Sequence, residues 1–335
     1  MKSQDSNICY ANSAVQILFH CKQFRQKVLN FQPKQSTKDY LTRDLQDLFQ
    51  QMTQSSKSKG NINSKKFMQR IKKLNQLFDN DDHHDSHEFL IWLLNHISEE
   101  LQADINRENK QKNQETNNKI QQSSPNPYVF VQDLFEGKLV SKISCNLCEC
   151  ANERDEPFMA LSVDIEKGSS LNHCIKQFAH KEWMLNRDKF YCEQQCYTKQ
   201  VATKQMMIKQ KPKILIIHLK RFKIDPQTLR YQKLSHRIPF PNELRIESAL
   251  DESEDSSQSL LYHLKGIVIH VGQGFSYGHY FSLIKSQGRW IKMDDTNVSV
   301  VDEKYMRALY GLPSSNEQSG WPTAYMLLYD SQPDE

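Results

Sequence analysis

Residues 6–19 read SNICYANSAVQILF, a stretch that places a cysteine between a polar turn and an apolar run of helical length. Cys9 has two interpretations. Cysteine is often a small buried residue that does no chemistry. At the beginning of a helix, however, the partial positive charge of the helix end favours the thiolate, which is a nucleophile. Residues further along the chain decide between the two interpretations.

The bulk composition limits the classes of function. The chain has 335 residues, enough for one large domain or two ordinary ones. Its 44 basic and 40 acidic residues nearly balance, so charge does not favour a nucleic-acid partner. No apolar run is long enough to cross a membrane, and the N-terminus lacks the apolar core of a signal peptide. We therefore expect a cytoplasmic or nuclear protein with no membrane partner, whose eight cysteines are reduced thiols, metal ligands or catalytic groups.

The first third of the chain has helical patterns. Asn12 or Ser13 is predicted to cap the helix of the opening stretch. Asp85, followed three residues later by Glu88, resembles a capping box. The helix that follows is predicted to bury a stripe formed by Phe89, Trp92, Leu93, Ile97 and Leu101. Residues 104–127 are polar, and they are predicted to form a disordered insertion because they offer too little apolar surface for packing.

The last third of the chain has the composition of β-strands. The predicted strands are 214–222, 264–271, 279–285, 289–293 and 324–330. Helices first and antiparallel strands later indicate an α+β fold.

One of these strands begins with a histidine. A thiol protease needs an imidazole that accepts the thiol proton and a third group that orients the imidazole. His279 directly follows Gly278, and Asp294 and Asp295 end the next strand. A short hairpin would bring one of the two carboxylates to the imidazole. Taken alone, such a histidine is more often structural, and an Asp–Asp pair is more often part of a turn.

Two close pairs of cysteines lie in the middle of the chain. Two residues separate Cys145 from Cys148, and three residues separate Cys192 from Cys196. Four thiolates at such spacings suit one tetrahedral, structural Zn²⁺. The alternative is four cysteines without a ligand.

Two competing interpretations are weaker. His83, His84, Asp85 and His87 resemble metal ligands, but they surround an expected helix cap and no cysteine lies nearby in sequence. A zinc-ribbon protein that binds nucleic acid is disfavoured by the nearly neutral charge.

Seven motifs occur in the order of the ubiquitin-specific protease family, a family of deubiquitinases: NICYANS, HHDSHEFL, CNLC, FYCEQQC, HLKRF, YGHYFSL and WIKMDD. The chain resembles this family from about residue 4 to residue 330. The stretches LSVDIEKGSSLNHCIKQF, KLSHRIPFPNELRI and YGLP are most similar to the subgroup that WD-repeat proteins activate. The resemblance implies a papain-like cysteine protease with thumb, palm and fingers, the fingers being an antiparallel sheet stapled by zinc. A single catalytic domain would span 1–335, with the thumb at about 1–135, the fingers at about 136–212 and the palm at about 213–335.

The same resemblance implies roles for individual residues. Cys9 would be the nucleophile, His279 the general base and Asp294 the residue that orients the imidazole, with Asp295 as a neighbouring support. The reaction would be hydrolysis of the peptide or isopeptide bond after the C-terminal glycine of ubiquitin. Asp85 would contact the basic tail of ubiquitin. The four cysteines would hold one structural Zn²⁺ per chain, and the partners would be ubiquitin, ubiquitinated proteins and a WD-repeat activator.

The sequence departs from the family pattern in two places. Relatives usually carry an asparagine five residues before the nucleophile, in a turn with glycine, whereas this chain has Gln4 and Ser6. The longer amide of Gln4 is expected to serve the oxyanion poorly, so activity is predicted to be weak or absent unless a further segment precedes Met1. The alternative function is a weak or inactive ubiquitin-binding scaffold of the same fold. Relatives also place the fourth zinc ligand where Gln195 stands, and Cys196 is expected to replace it.

Overall fold

The computed structural model of the chain describes residues 7–33, 40–55, 62–80, 82–115, 129–225, 227–229, 231–246, 260–274, 277–312 and 320–333. The helices are α1 (Cys9–His20), α2 (Lys22–Leu29), α3 (Leu41–Ser55), α4 (Lys65–Leu74), α5 (Ser86–Glu115), α6 (Phe130–Phe135), α7 (Leu171–Phe178) and α8 (Glu303–Ala308). None of the described helices combines the length and the apolar character that a membrane span requires.

The strands are β1 (Gly137–Cys145), β2 (Ala151–Phe158), β3 (Leu161–Val163), β4 (Glu182–Met184), β5 (Phe190–Cys192), β6 (Thr198–Gln200), β7 (Ala202–Gln210), β8 (Ile214–Leu219), β9 (Phe222–Ile224), β10 (Tyr231–Lys233), β11 (Glu243–Ile246), β12 (Leu260–Gly272), β13 (His279–Ser286), β14 (Arg289–Asp294), β15 (Asn297–Val301) and β16 (Gly320–Asp330). The five strands predicted from sequence correspond to β8, β12, β13, β14 and β16, and the predicted α+β class is confirmed.

Helix α1 lies between the helical part of the chain and the large sheet, against α5 on one side and β12 and β13 on the other. A helix in such a position must be apolar on nearly all sides, and α1 is buried along almost its whole length. Gly266 of β12 allows the close approach, because a Cβ there would lie 3.1 Å from Cγ2 of Ile17.

The predicted caps of α1 are wrong, because the helix begins at Cys9 itself. Ile8 occupies the N-cap position and makes no side-chain cap bond. Asn12 and Ser13 lie inside the helix, where they are buried and bond to other parts of the molecule. The Ser13 hydroxyl, for example, lies 3.2 Å from that of Ser86, the first residue of α5.

Helix α5 begins after Asp85, as predicted, but the predicted disordered insertion is wrong over residues 104–115, where the helix continues. The reason is tertiary packing. Asp104 is buried and accepts a hydrogen bond of 2.7 Å from the Tyr40 hydroxyl, and Ile105 is also buried. The rest of the predicted insertion, 116–127, lies outside the described residues.

The large sheet contains eight strands among the described residues, in the order β15-β14-β13-β12-β16-β8-β3, with β11 beside β12. All pairs are antiparallel except β3 with β8. Alternate residues point to opposite faces of a strand. In β8, Ile214 and Ile216 join the core beneath the helices, and Leu215 and Ile217 join a second core on the other face.

A four-stranded antiparallel sheet, in the order β2-β1-β7-β4, extends from the large sheet and carries the β5–β6 hairpin near its end. This is the sheet predicted as fingers. The predicted fingers span of 136–212 is not uniform, however, because β3 lies within it and pairs with β8 of the large sheet.

The buried cation Arg221 holds together the connections at one end of the large sheet. Arg221 has no exposed surface, and its guanidinium donates hydrogen bonds to four backbone carbonyls. The acceptors are Ala324 at 2.5 Å, Leu234 at 2.9 Å, His236 at 3.0 Å and Tyr310 at 3.2 Å. They belong to separate segments, so one side chain ties these segments together.

Candidate active site

Cys9 is the first residue of α1 and is only 6% exposed. Its position is the one at which the dipole of the helix favours a thiolate. Cys21, at the other end of the same helix, is a core cysteine. It is 2% exposed, and burial raises the pKa of its thiol to about 12.

His279 begins β13 and forms a hydrogen bond with the Cys9 side chain. The preceding residue must be glycine. A Cβ at Gly278 would lie 2.3 Å from Nε2 of His270 and 2.5 Å from the carbonyl oxygen of Val271. The backbone therefore approaches β12 closely just before His279, which fixes the direction in which the imidazole leaves the strand.

The β13–β14 hairpin brings the third group to the imidazole. Gln287 and Gly288 form its two-residue connection with φ values of +50° and +73°, the signature of a type I′ turn. This turn sets a register in which Ser282 faces Met293. Asp294 then lies diagonally across from His279 on the same face, and Nε2 of His279 donates a 2.6 Å hydrogen bond to Oδ1 of Asp294.

The charges of the three groups support one another. The hydrogen bond with Cys9 and then that with Asp294 raise the pKa of His279 to about 9, although burial acts in the opposite direction. Burial also acts to raise the pKa of Asp294, but hydrogen bonds from Lys292 and His279 outweigh it, and the pKa lies below its ordinary value. At neutral pH the imidazole is therefore a cation that holds its proton between Cys9 and the Asp294 carboxylate. The neutral form of the same imidazole can take the thiol proton, and the cation can give that proton to a leaving group.

Asp295 lies directly beside this group. Its backbone adopts a left-handed conformation with φ of +49°, and its Oδ1 accepts a 2.9 Å hydrogen bond from Asn12. Asn12 is one turn after Cys9 on α1. The hydrogen bond therefore joins the helix that carries the thiol to the loop that follows Asp294.

Asp85 occupies a structural position. Its Oδ1 accepts backbone hydrogen bonds from His87 at 2.6 Å and Glu88 at 3.1 Å, so it caps α5. Its Oδ2 accepts a hydrogen bond from the Tyr325 hydroxyl, and the residue is 8% exposed. The predicted contact with the tail of ubiquitin stays a prediction. Gln4, the predicted oxyanion donor, lies outside the described residues, as does Ser6.

The four predicted zinc ligands come together at the end of the four-stranded sheet. Their sulfur atoms all lie within 4.8 Å of one another. Cys145 and Cys196 are 3.9 Å apart, and Cys148 and Cys192 are 3.5 Å apart. Sulfur atoms at about 2.3 Å from a tetrahedral Zn²⁺ would lie about 3.8 Å from one another, so the four residues fit this ion.

The two cysteine turns differ in width. In the first, the N–H of Glu149 bonds to the carbonyl of Cys145 at 3.0 Å, four residues earlier. In the second, the N–H of Tyr197 bonds to the carbonyl of Cys192 at 2.9 Å, five residues earlier. The wider turn absorbs the additional residue, so the shifted Cys196 still reaches the cluster.

Sequence reasoning missed two residues of the site, Asn12 and Lys292. The sequence suggests Asn12 only as a cap, although its spacing of three from Cys9 places it on the same side of a helix. Lys292 lies two residues before Asp294, a spacing that puts both side chains on one face of a strand. Neither spacing identifies a partner without the tertiary structure.

Comparison with known proteins decides the family. A family model described as ubiquitin carboxyl-terminal hydrolase matches residues 3–329. The chain belongs to this family. Ubiquitin carboxyl-terminal hydrolase 12 of Salmo salar is 38% identical over 339 residues, which cover 97% of this chain and 88% of that protein. Ubiquitin carboxyl-terminal hydrolase 4 of Arabidopsis thaliana is 38% identical over 338 residues, which cover 97% of this chain and 91% of the relative.

Solved structures share the fold. The SAGA Ubp8/Sgf11/Sus1/Sgf73 DUB module bound to ubiquitin aldehyde has a TM-score of 0.72 at 24% identity, covering 98% of this chain and 69% of the matched chain. A second structure of the SAGA DUB module has a TM-score of 0.74 at 25% identity, covering 100% and 69%. The predicted family, fold class and enzyme class are confirmed, and this ubiquitin carboxyl-terminal hydrolase is a thiol-dependent deubiquitinase. The WD-repeat subgroup stays a prediction.

Proposed function

We propose that Cys9, His279 and Asp294 carry out the hydrolysis of the bond after the C-terminal glycine of ubiquitin. The observation that supports this most directly is the position of His279, which is hydrogen-bonded to Cys9 on one side and to Asp294 on the other. Because Nε2 of His279 bonds to Asp294, Nδ1 is the nitrogen left for the thiol. Asp294 holds the ring in this orientation and stabilises its positive charge.

The reaction proceeds in two halves. The Cys9 thiolate attacks the glycine carbonyl, the bond from carbon to nitrogen breaks, and the His279 imidazolium gives its proton to the departing amine. The product is a thioester between Cys9 and ubiquitin. Water then attacks this thioester while neutral His279 takes one proton from the water. The bond from carbon to sulfur breaks and leaves the Cys9 thiolate, the His279 imidazolium and the carboxylic acid of ubiquitin, which gives its remaining proton to the solvent.

The negative oxygen that forms in each half needs hydrogen-bond donors. The backbone N–H of Cys9 has no acceptor within its own helix, because it belongs to the first turn of α1. We assign it to this oxygen together with the side-chain amide of Gln4. Asp295 supports the site from α1 through its hydrogen bond with Asn12.

Ubiquitin carrying a C-terminal electrophile tests the assignment. The wild-type chain is expected to form a covalent adduct, and Cys9→Ser is expected to form none. Cys150→Ser is the matched control, because Cys150 is a partly exposed thiol outside the site. Noncovalent binding of ubiquitin with no adduct in the wild-type chain would instead support the inactive scaffold.

The four cysteines are assigned to one structural Zn²⁺ per chain. When bound, the ion would cross-link the β1 turn to the β5–β6 hairpin and close the end of the fingers. Elemental analysis is expected to give one zinc per wild-type chain. We expect Cys196→Ser to lose most of the metal and Cys150→Ser to keep it. Freshly purified wild-type protein without zinc would refute the assignment.

The partner proteins and the cellular compartment are part of the same proposal. Ubiquitin and ubiquitinated proteins are the partners that the family and the triad support, and the cytosol or the nucleus is the compartment that suits eight free cysteines. A WD-repeat activator and the division at about residues 135 and 212 are carried over from the family resemblance. An increase in turnover when a WD-repeat protein is added to the purified chain would test the activator.

A further inference from the structure

Lys292 precedes Asp294 by two residues on β14, and both side chains lie on the same face of the strand. We propose that Lys292 is a positioning residue that holds Asp294 ionised and correctly rotated. This inference rests on the proposed triad and adds to it a fourth residue, which touches neither the substrate nor the reacting atoms.

The two oxygens of Asp294 have separate partners. Oδ1 accepts the hydrogen bond from His279, at 2.6 Å. Oδ2 lies 2.8 Å from Nζ of Lys292. A carboxylate held at both oxygens cannot rotate about its terminal bond without breaking one of these contacts. The lysine therefore keeps Oδ1 directed at the imidazole.

Lys292 is itself held in place. Its ammonium lies 4.4 Å from the centre of the Phe281 ring, a cation–π contact, and the side chain is hydrogen-bonded to Tyr305 of α8. Its side chain is 24% exposed and that of Asp294 is 23% exposed. An ion pair between fully exposed side chains contributes little. Here the partly buried geometry orients a group that the reaction needs.

Several titratable groups surround this ion pair. On the other elements packed against it they are Cys9 of α1, His279 of β13, Tyr305 of α8 and Asp295 of the loop after β14. Removing the lysine charge makes the Asp294 carboxylate easier to protonate and less firmly placed. Both effects weaken the imidazolium beside Cys9, and loss of the nearby positive charge also disfavours the thiolate. All three effects raise the pH at which the pair of Cys9 thiolate and His279 imidazolium is lost on acidification.

The test compares Lys292→Met with Lys292→Arg, which keeps the charge. Arg289→Met is the matched control, because Arg289 is an exposed cation on the same strand but on its other face. Turnover of a ubiquitin–fluorophore substrate gives kcat and KM across pH. Alkylation of Cys9 by iodoacetamide across pH reports the thiolate without ubiquitin.

For Lys292→Met we expect kcat to fall about tenfold, as for loss of a hydrogen bond to a charged group, with KM changed less than about twofold. The acid limb of turnover and that of alkylation are expected to move up by about 0.5 pH unit or more. Lys292→Arg is expected to recover most of the activity, and Arg289→Met to match the wild type.

Two results would overturn the inference: acid limbs in Lys292→Met that coincide with those of the wild type, or a loss of activity that Lys292→Arg does not recover. A failure of the proposed function has a different signature. In that case the wild-type chain would not turn over the ubiquitin substrate, whereas the alkylation profiles would still show whether Lys292 acts on the thiol through Asp294.

Discussion

The imidazole of His279 is held from two sides, and its protonation determines the pH range of the enzyme. Its contacts with Cys9 and Asp294 keep it protonated until about pH 9. The protonated form is the one that can stabilise a thiolate and later protonate the departing amine. Activity is therefore present below this pKa and is lost as the pH rises through it.

We expect kcat/KM to decline above pH about 9, following the pKa of His279. In Asp294→Asn the carboxylate charge is absent, so the pKa of His279 falls and the basic limb moves to lower pH. Turnover of a ubiquitin–fluorophore substrate across this range measures the limb. A basic limb unchanged by Asp294→Asn would show that Asp294 does not stabilise the imidazolium.

Gly278→Ala tests the close approach that directs His279. The new Cβ would meet the His270 ring and the Val271 backbone at less than 3 Å, so the strand must shift. We expect kcat/KM to fall by about tenfold or more, because small misplacements of a catalytic group are costly. Gly274→Ala is the control in the same loop, since among the described residues its Cβ would meet no atom closer than 3.8 Å. Equal activity in the two variants would contradict this explanation.

At this scale the sequence made Cys9 and His279 candidates, because their chemistry and their place at the ends of elements can be recognised locally. The family resemblance chose Asp294 over Asp295 as the orienting residue, and Asn12 and Lys292 were missed. The partnership of Asn12 with Asp295 spans 283 positions, and that of Lys292 with Asp294 competes with many other arrangements of a surface lysine. Such pairs depend on strand register and helix docking, which local patterns do not specify.

Among the secondary-structure elements, α5 is fastened at its beginning by Asp85. The carboxylate caps two backbone N–H groups and also accepts a hydrogen bond from Tyr325 of β16. The cap was predicted from the spacing of Asp85 and Glu88. The far end of the same helix was predicted wrongly, because its polar sequence gave no sign of the buried contact between Asp104 and Tyr40.

Two variants of Asp85 separate its structural role from the predicted ubiquitin contact. Asp85→Ala removes the cap and leaves the Tyr325 hydroxyl without this acceptor, so the free energy of unfolding is expected to fall by about 2–4 kcal/mol. Asp85→Asn keeps a good capping residue and should lose much less. Urea unfolding measures both. If the charge also contacts ubiquitin, KM rises in Asp85→Asn while stability is largely kept. An unchanged KM there would remove Asp85 from substrate binding.

Across the whole molecule, the site forms only when opposite ends of the chain meet. Cys9 lies on the first helix, and His279 and Asp294 lie on a hairpin near the end of the sequence. The α+β class and five of the strands were predicted, but the placement of β16 between β12 and β8 was not. Strand order depends on which apolar faces pack together over long distances, and the composition of a strand does not reveal its neighbours.

The hydrogen bond between Asn12 and Asp295 couples these two parts of the chain. A double-mutant cycle of Asn12→Ala and Asp295→Ala, followed by urea unfolding, is expected to give a coupling energy of about 1 kcal/mol. In the same cycle on kcat/KM, each single variant should lower kcat/KM by almost as much as the double variant does. Additive effects in both measurements would mean that the two residues act independently.

Arg221 has a consequence for how the enzyme responds to ionic strength. Surface ion pairs such as Lys66 with Asp47 and Lys209 with Asp155 weaken as dissolved ions screen them. The guanidinium of Arg221 is out of reach of these ions, and its acceptors are uncharged carbonyls. Added salt should therefore reduce the attraction between this hydrolase and a charged protein substrate while the framework around the cleft stays intact.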